Sequence, residues 1–357
     1  MQNSSARVLS PLSFSAPARS RSQFTLALGG AALAAVAIAG MTTGCGAAPK
    51  GSHDAEGHSY PSTLSGPVDT MATPMSAHAI KNVFVIVMEN HDWRDIKGSA
   101  SAPYINGTLL PLGAHAEGYT SPGSVHPSEP NYVWLEAGDT LDIADDDDPS
   151  LNYRTTKNHL TRQMESANVT WRSWQESITP GLCPVASSGL YGAKHNPFVF
   201  FDDVTDGRDP HSAHCLEHIR PYEELAGALG AQGAVAQYNF ITPNLCDDMH
   251  DSAECGTPDN VANGDAWLSR EVPKILASKA YQDGGALFIT WDESEGGDGT
   301  PIGLIALSPL AKKGYANQVA YTHSSLLRTV QDVFSLRPYM RDAVNATALD
   351  DLFVSYP

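Results

Sequence analysis

Three apolar runs of the chain end in side chains that could bind a metal ion. After the runs VFVIVM and ALFITW, the residues with oxygen ligands are Glu89, Asn90, Asp292 and Glu293. After a further run, AQYNFI, come Asp248 and His250. Any one acid could simply accept backbone hydrogen bonds in a loop. The set of four instead predicts a site for a divalent metal ion, which could be Ca, Mg, Mn or Zn because these ions accept oxygen ligands in varying degree.

Ser128 could supply a nucleophile beside such an ion. It stands in the segment HPSEPN, directly before a predicted helix. A serine at a helix N-terminus usually caps the helix. The same position also suits catalysis, because unpaired backbone N–H groups there bind phosphate oxygens. A metal ion bound by the Ser128 hydroxyl would lower its pKa and activate it for attack on phosphorus. Spacing alone leaves both interpretations open.

Basic side chains could complete a phosphate site. His250 and His323 could each bind metal, hold phosphate or donate a proton to a leaving group, although a lone histidine is more often structural. The pair Lys194-His195 offers a cation and an imidazole suited to phosphate or substrate contact.

These side chains can meet only if the apolar runs are neighbouring strands. Four runs fit strands buried on both faces, as in parallel sheets: Val83–Met88, Ala236–Ile241, Ala286–Trp291 and Gly303–Leu307. Helices are predicted at Asn131–Ala137, Thr156–Ser166, Asn263–Ala277 and His323–Phe334. In open α/β sheets, ligands gather just beyond the carboxyl ends of strands. The acidic run Asp145–Asp148 predicts a solvated loop, with a calcium site as the lesser alternative.

The N-terminal segment is typical of export. Residues 1–23 are basic and serine-rich, and residues 24–40 are apolar and small. Cys45 follows small residues, which favours a lipoprotein leader over residues 1–44 with Cys45 lipidated and attached to a membrane. An ordinary secretory leader or a retained anchor is the alternative. Residues 45–78 predict a flexible tether, and residues 79–357 one α/β domain.

The remaining cysteines also fit an exported protein. Four of them beyond Cys45 predict two disulfides, and closeness in sequence favours Cys183–Cys215 and Cys246–Cys255. Three histidines spaced i, i+3 and i+7 could be ligands on one helical face, but Cys215 among them favours a surface turn held by a disulfide. These are His211, His214 and His218.

The charge excludes one class of function. The formal net charge is −18, and beyond residues 1–44, which hold three arginines and no acid, it is −21. Nucleic-acid-binding domains need a basic surface, so no nucleic-acid partner is expected. An acidic protein that handles phosphate must concentrate positive charge locally, and a metal ion is a direct means of doing so.

Five segments, in order, resemble the bacterial phosphoesterase family that contains phospholipases C and acid phosphatases, within the alkaline phosphatase-like superfamily. They are Ile80–Asn90, Ser128–Thr140, Pro243–Asp251, Ala286–Gly297 and Leu304–Val333. The resemblance implies an α/β, alkaline phosphatase-like three-layer sandwich, with a mostly parallel central sheet and helices on both faces.

The resemblance also implies roles for single residues. The residues that match the family's metal ligands are Glu89, Asn90, Asp292 and Glu293. Ser128 matches the nucleophile that forms a phospho-enzyme intermediate, and His250 matches a histidine that is a candidate general acid. The residues matched to phosphate or substrate contacts are Asn131, Lys194, His195 and His323.

The sequence lacks the long C-terminal extension of many phospholipases C of this family. We therefore expect an acid-phosphatase-like enzyme that acts on small phosphate monoesters through a phosphoserine. One alternative is a phospholipase C or phosphodiesterase acting on phospholipid head groups. Another is a non-catalytic surface protein that binds phosphate or metal on the same fold.

Overall fold

The computed structural model describes residues 79–230, 235–250 and 255–356, and it is built around an eight-stranded sheet. The strands in chain order are β1 (Asn82–Met88), β2 (Ala114–Ala116), β3 (Tyr119–Thr120), β4 (Trp171–Gln175), β5 (Ile219–Pro221), β6 (Tyr238–Thr242), β7 (Gly285–Trp291), β8 (Leu304–Leu307), β9 (Tyr315–Asn317) and β10 (Tyr321–Thr322). The sheet order is β5-β4-β6-β1-β7-β8-β2-β9, and β3 pairs with β10 separately. Among the described strands, only β8 runs antiparallel to its neighbours.

Helices flank this sheet, so the predicted α/β class with a mostly parallel sheet is confirmed. The α-helices are α1 (Trp93–Ile96), α2 (Leu110–Leu112), α3 (Ser128–Ala137), α4 (Pro149–Asn152), α5 (Leu160–Ser166), α6 (Asp202–Thr205), α7 (Ala213–His218), α8 (Leu225–Gly230), α9 (Asn260–Ala277), α10 (Lys279–Gln282) and α11 (His323–Val333). A π-helical turn covers Ile105–Leu109, and short 3-10 helices cover Ala193–His195, Pro197–Phe200, Tyr222–Glu224, Arg341–Val344 and Leu349–Leu352.

The centre of the sheet forms where the sequence is most apolar. Strands β1 and β7 pair in register from Asn82 opposite Gly285 to Met88 opposite Trp291, and nearly every residue of both is buried. A strand covered on both faces needs apolar side chains at successive positions, which is the pattern of these runs. The four predicted strands are confirmed, with boundaries shifted by one or two residues.

Three helix starts differ from the prediction by three or four residues. Helix α9 begins at Asn260 rather than at Asn263. Helix α3 begins at Ser128, three residues before the predicted start, since Pro130 lies in its first turn, where proline is tolerated. Helix α5 begins only at Leu160, because the backbone of His159 is extended, with φ −147° and ψ 164°. The start predicted at Thr156 was therefore wrong.

Both predicted disulfides are confirmed. Cys183 is bonded to Cys215, and Cys246 to Cys255. Across the part of the chain that the structure describes, no helix has the length and apolar character needed to cross a membrane. The predicted leader, Cys45 and the tether lie outside the described residues.

A buried histidine joins helix α3 to helix α6. His159 Nδ1 lies 2.9 Å from Glu136 Oε1, and His159 Nε2 lies 3.1 Å from Asp203 Oδ1. Both partners are carboxylate oxygens, so both ring nitrogens can donate if the ring is protonated. Burial lowers the pKa of His159, but hydrogen bonds to Asp203 and Glu136 outweigh it and raise the pKa to about 9.

We predict that this protonated ring stabilises the fold below alkaline pH. Because the folded-state pKa is raised, the contribution is fully present below the ordinary pKa of 6.5 and is lost as pH rises through about 9. The protonated His159 ring contributes about 3 kcal/mol to the free energy of unfolding. Denaturant titrations should detect this loss in the wild type and not in His159→Gln, whereas the exposed control His211→Gln should keep it. An unchanged pH dependence in His159→Gln would contradict the assignment.

Candidate functional site

The candidate site lies where three adjacent parallel strands, β6, β1 and β7, end. Backbone hydrogen bonds join the segments that follow them: Glu89 N donates to the Asp248 carbonyl (2.7 Å), and Asp292 N to the Met88 carbonyl (3.0 Å). Asn90 N donates to Asp292 Oδ1 at 3.0 Å. The acidic residues that the sequence places after separate strands therefore come together at one edge of the sheet.

Ser128 meets these carboxylates from the other side. It is the first residue of α3 and only 1% exposed, and its Oγ donates to Glu89 Oε2 at 3.1 Å. The N-cap residue is Pro127, so the Ser128 hydroxyl does not cap the helix. The capping interpretation of Ser128 was therefore wrong. The hydroxyl instead points into the acidic cluster.

The Asn90 amide lies between two carboxylates. One terminal atom of the amide is 3.1 Å from Glu89 Oε2 and 3.0 Å from Asp292 Oδ1. With nitrogen at this position, the amide donates to both acids. With oxygen there, three oxygens converge without a proton between them, as ligands do around a hard cation. Asn90 also has a positive φ of 33°, a backbone region that asparagine tolerates better than most residues.

His195 lies inside the acidic cluster rather than at its rim. Its Nε2 is 3.2 Å from Glu89 Oε2, its Nδ1 is 3.4 Å from Asp248 Oδ2, and its ring stacks on Tyr132 with centroids 5.1 Å apart. One ligand atom from each of Glu89, His195 and His250 lies within 4.8 Å of the others. The sequence pointed to phosphate contact for His195, and this geometry also suits a metal ligand.

The cluster holds more negative than positive charge. Its buried carboxyl groups belong to Glu89, Asp248, Asp292 and Glu293. Burial raises the pKa of Asp292 well above its ordinary range, and the charges of Glu89 and Glu293 raise it further. Burial alone would raise the pKa of Glu89, but His195 and His250 lower it overall. These donors are compatible with a divalent metal ion, which would allow the carboxylates to be ionised together.

Glu293 and Asn131 shape the loop before Ser128. Asn131 Nδ2 donates to Glu293 Oε2 at 3.2 Å and to the carbonyls of Val125 (3.0 Å) and Pro127 (3.2 Å). His126 Nδ1 is hydrogen-bonded to the same Glu293 oxygen. His126 was not assigned from the sequence. Its only signal was a histidine two residues before Ser128, and its acidic partner comes from a distant strand.

A lysine and an aspartate form part of the rim. Lys194 Nζ lies 2.9 Å from Asp146 Oδ2, and Asp146 Oδ1 accepts from Glu129 N at 3.0 Å. The predicted loop at Asp145–Asp148 is thus solvated only in part, because Asp146 is tied to the helix that carries Ser128. Lys194 brings a positive charge to the edge of the cluster, as expected for a phosphate contact.

His323 supports the site from behind. Its Nε2 lies 2.6 Å from the Asp292 carbonyl, its Nδ1 lies 3.0 Å from the Tyr119 hydroxyl, and burial lowers its pKa to about 4. Both ring nitrogens already have protein partners. In this arrangement His323 orients the Asp292 backbone, and its contact with phosphate stays a prediction.

The fold resembles that of solved hydrolases. Murine ectonucleotide pyrophosphatase/phosphodiesterase 5 matches with a TM-score of 0.51 at 11% identity, over 76% of this chain and 100% of that one. A Vibrio parahaemolyticus protein in the alkaline phosphatase superfamily matches with a TM-score of 0.50 at 9% identity, over 76% and 72%. At these identities the likeness concerns the fold alone.

Sequence relatives are named as phosphatases. The phosphatidylinositol-3-phosphatase of Mycobacterium tuberculosis is 29% identical over 283 residues, which cover 79% of this chain and 84% of that protein. A probable acid phosphatase of Kluyveromyces lactis is 25% identical over 79% of this chain, and an acid phosphatase of Aspergillus fumigatus is 26% identical over 71%. The matches cover 65% and 54% of these two fungal proteins, less than two thirds of their length.

The sequence relatives and the family match define a hydrolase of phosphate esters, built on an alkaline phosphatase-like fold. The sequence model of the Phosphoesterase family matches residues 120–337, and the chain belongs to that family. The resemblance noted in the sequence is thereby confirmed.

We predict that Asp292→Asn stabilises the metal-free protein. The substitution removes a buried acid that is repelled by Glu89 and Glu293, so the free energy of unfolding should rise by about 1–3 kcal/mol in chelator at neutral pH. Thermal and denaturant melts would measure this. The control Asp203→Asn should destabilise instead, because that carboxylate is paired with His159 Nε2 at 3.1 Å. Burial raises the pKa of Asp203, but this pairing outweighs burial and lowers the pKa. A loss of stability in Asp292→Asn would contradict the repulsion.

Proposed function

We propose that this protein is a metal-dependent phosphatase that hydrolyses phosphate monoesters through a phosphoserine at Ser128. The observation that carries the proposal is the 3.1 Å contact between Ser128 Oγ and Glu89 Oε2 among buried carboxylates. A hydroxyl in this position is held by its acceptor at a helix N-terminus, which favours an anionic phosphoryl group. The names of the relatives support the monoester class.

The proposed metal ligands are Glu89, Asn90, Ser128, Asp292 and Glu293. When bound, a divalent ion would lower the pKa of the serine hydroxyl and balance the charge on phosphate oxygens. The position of the Asn90 amide between Glu89 and Asp292 supports this assignment, and His195 and His250 lie close enough to Glu89 to add nitrogen ligands. Ca, Mg, Mn and Zn all accept such donors.

The side chains around Ser128 have separate proposed tasks. Glu89 Oε2 accepts the hydroxyl hydrogen, which fixes the direction in which Oγ can attack phosphorus. Lys194 at the rim attracts the phosphate oxygens, as does His195 where it is protonated. His250 protonates the leaving oxygen, and water then hydrolyses the phosphoserine. Asn131 keeps the loop before Ser128 in place.

The two alternatives predict different products. A phospholipase C would release diacylglycerol from phosphatidylcholine vesicles, and a non-catalytic protein would bind phosphate or metal without turnover. We favour the monoesterase because the relatives are named as phosphatases, one of them with a phosphoinositide in its name. Release of diacylglycerol at a rate comparable to monoester hydrolysis would reverse this choice.

We also propose that the protein is exported. The two disulfides support this, because such bonds persist in oxidising compartments. Attachment to a membrane through a lipidated Cys45 remains part of the proposal. A radioactive fatty acid should label the wild type and should not label Cys45→Ala. Equal labelling of both proteins would contradict lipidation at Cys45.

We predict that Ser128→Ala abolishes turnover of p-nitrophenyl phosphate, with a loss of at least about 10⁴-fold in kcat, because the nucleophile is gone. Ser124→Ala, an exposed serine of the same loop, is the matched control and should keep activity. Acid quenching during turnover should trap a phosphoryl group on the peptide that contains Ser128. Substantial activity in Ser128→Ala, with a folded protein, would remove the central residue of the proposal.

We predict that prolonged chelation removes activity and that a divalent ion restores it. The variants Glu89→Gln and Asp292→Asn should also retain less metal, as measured by elemental analysis, because each loses a charged oxygen ligand. Lys81→Gln, which changes a charge at the opposite end of β1, should retain as much as the wild type. Full activity in protein shown to be metal-free would contradict metal dependence.

A further inference from the structure

A second histidine–carboxylate cluster lies between helices α5 and α7, apart from the catalytic residues. Glu165 comes from α5, and His214 and His218 come from α7 with a spacing of four residues. His214 Nε2 lies 2.8 Å from Glu165 Oε1, and His218 Nε2 lies 3.9 Å from the same oxygen. One ligand atom of each of these residues lies within 4.8 Å of the others. The sequence favoured a surface turn at this segment, and that expectation was wrong: helix α7 carries two of the three histidines, and His211 precedes it.

The outer nitrogens of both rings are fixed by backbone carbonyls. His214 Nδ1 lies 3.1 Å from the Asp203 carbonyl, and His218 Nδ1 lies 3.0 Å from the Trp171 carbonyl. A carbonyl only accepts, so each Nδ1 carries the hydrogen. Arg172 Nη1 is 3.4 Å from His218 Nδ1 but donates to the Trp171 carbonyl at 3.0 Å. In the neutral rings, both Nε2 lone pairs face Glu165, an arrangement that metal-binding histidines commonly have.

Something positive must lie between Glu165 and His214. If the His214 ring is neutral, its Nε2 and Glu165 Oε1 are two acceptor atoms 2.8 Å apart. Either a proton or a cation between them relieves their repulsion. The hydrogen bond to Glu165 raises the pKa of His214, so a proton is one solution. For His218, burial lowers the pKa. A cation satisfies all three ligands at once, whereas a proton on His214 satisfies only the first pair.

We propose that Glu165, His214 and His218 form a binding site for a divalent transition-metal ion of the zinc class. Two imidazole nitrogens favour zinc, nickel or copper over magnesium or calcium, which prefer oxygen. Ligand atoms of a tetrahedral zinc ion, with bonds of about 2.0–2.2 Å, lie about 3.4 Å apart. The 2.8 Å and 3.9 Å separations of the two Nε2 atoms from Glu165 Oε1 lie on either side of that value. The ion would join α5 to α7.

The surroundings hold this cluster in shape while leaving access to solvent. The side chains of His214, His218 and Glu165 are 30%, 12% and 22% exposed, so water can reach a fourth ligand position. Trp171 stacks on His218 with ring centroids 4.2 Å apart, and its Nε1 donates to Glu165 Oε1 at 3.2 Å. The disulfide at Cys215 anchors α7 between its two histidines. Preorganised ligands favour tight binding.

Two neighbouring positive charges oppose a cation. Arg172 Nη1 lies 3.4 Å from His218 Nδ1, and Glu217 Oε1 lies 3.8 Å from Nη2 of the same arginine. Arg162 Nη1 donates to Glu165 Oε2 at 3.1 Å, but this leaves Oε1 facing the histidines. The ion pair is exposed on the Arg162 side, and exposed pairs of this kind contribute little free energy. Glu165 can therefore accept the hydrogen bond from Arg162 with one oxygen and bind the metal ion with the other.

The test is zinc titration of the full, disulfide-intact protein after chelation, with elemental analysis after dialysis. The catalytic cluster is silenced in the background variant Glu89→Gln/Asp292→Asn, so that zinc bound there does not obscure the result. This background should still bind one zinc ion. Adding His214→Gln/His218→Gln should remove that ion or weaken it by more than about 100-fold, the upper range for changes to residues that merely support metal ligands. His211→Gln in the same background is the matched control and should bind normally.

Two further measurements test the site independently of the histidine substitutions. Glu165→Gln removes one ligand with little change in shape, and unchanged zinc affinity in this variant would overturn the three-ligand site. X-ray absorption at the zinc edge should report two imidazole ligands in the background variant, and a spectrum with none would overturn it too. Absence of stoichiometric zinc in that variant, with a melting profile of folded protein, would equally exclude the site.

Discussion

The proposed chemistry depends on holding several carboxylates of like charge, nearly out of water, in one cluster with Ser128, whose hydroxyl donates to Glu89. Burial and mutual repulsion push the pKa of Asp292 upward, while His195 and His250 hold that of Glu89 down. The protein's own cations offset only part of this charge. A cluster of this kind is unfavourable for folding, and such a loss of stability is typical of sites selected for function.

The scaffold tolerates this strain because the site is tied to rigid elements. Its acids follow strands in the centre of the sheet, where backbone hydrogen bonds join the loop segments to each other. Helix α3 is buried along almost its whole length, so the position of Ser128 is set by packing at many points. The opposite end of α3 is fixed by Glu136, which binds His159 and accepts from Thr161 N at 2.7 Å. Motion of Ser128 would therefore disturb the contacts at both ends of the helix.

The sequence was sufficient to predict the elements that a short stretch of residues determines by itself. Strands buried on both faces carry long apolar runs, and ligands follow their carboxyl ends, so Glu89 and Asp292 could be predicted. Strand β4 was missed because its residues WRSWQ look polar, although four of its five residues are buried. The partners of Ser128, His195 and His126 could not be predicted, since they come from distant segments that only the folded sheet brings together. The cysteine pairs were predictable from their closeness in the chain.

The two clusters of metal-binding side chains differ in what they can do. The cluster at the sheet edge combines several acids with a serine and a helix N-terminus, so a cation there would act beside a nucleophile. In the cluster of Glu165, His214 and His218, the described neighbours include no hydroxyl aimed at the ligand atoms, and Arg162 occupies one oxygen of its single acid. An ion held there would have no protein nucleophile beside it, only a water at its fourth ligand position. It would also join two helices beside a disulfide, which is a contribution to stability.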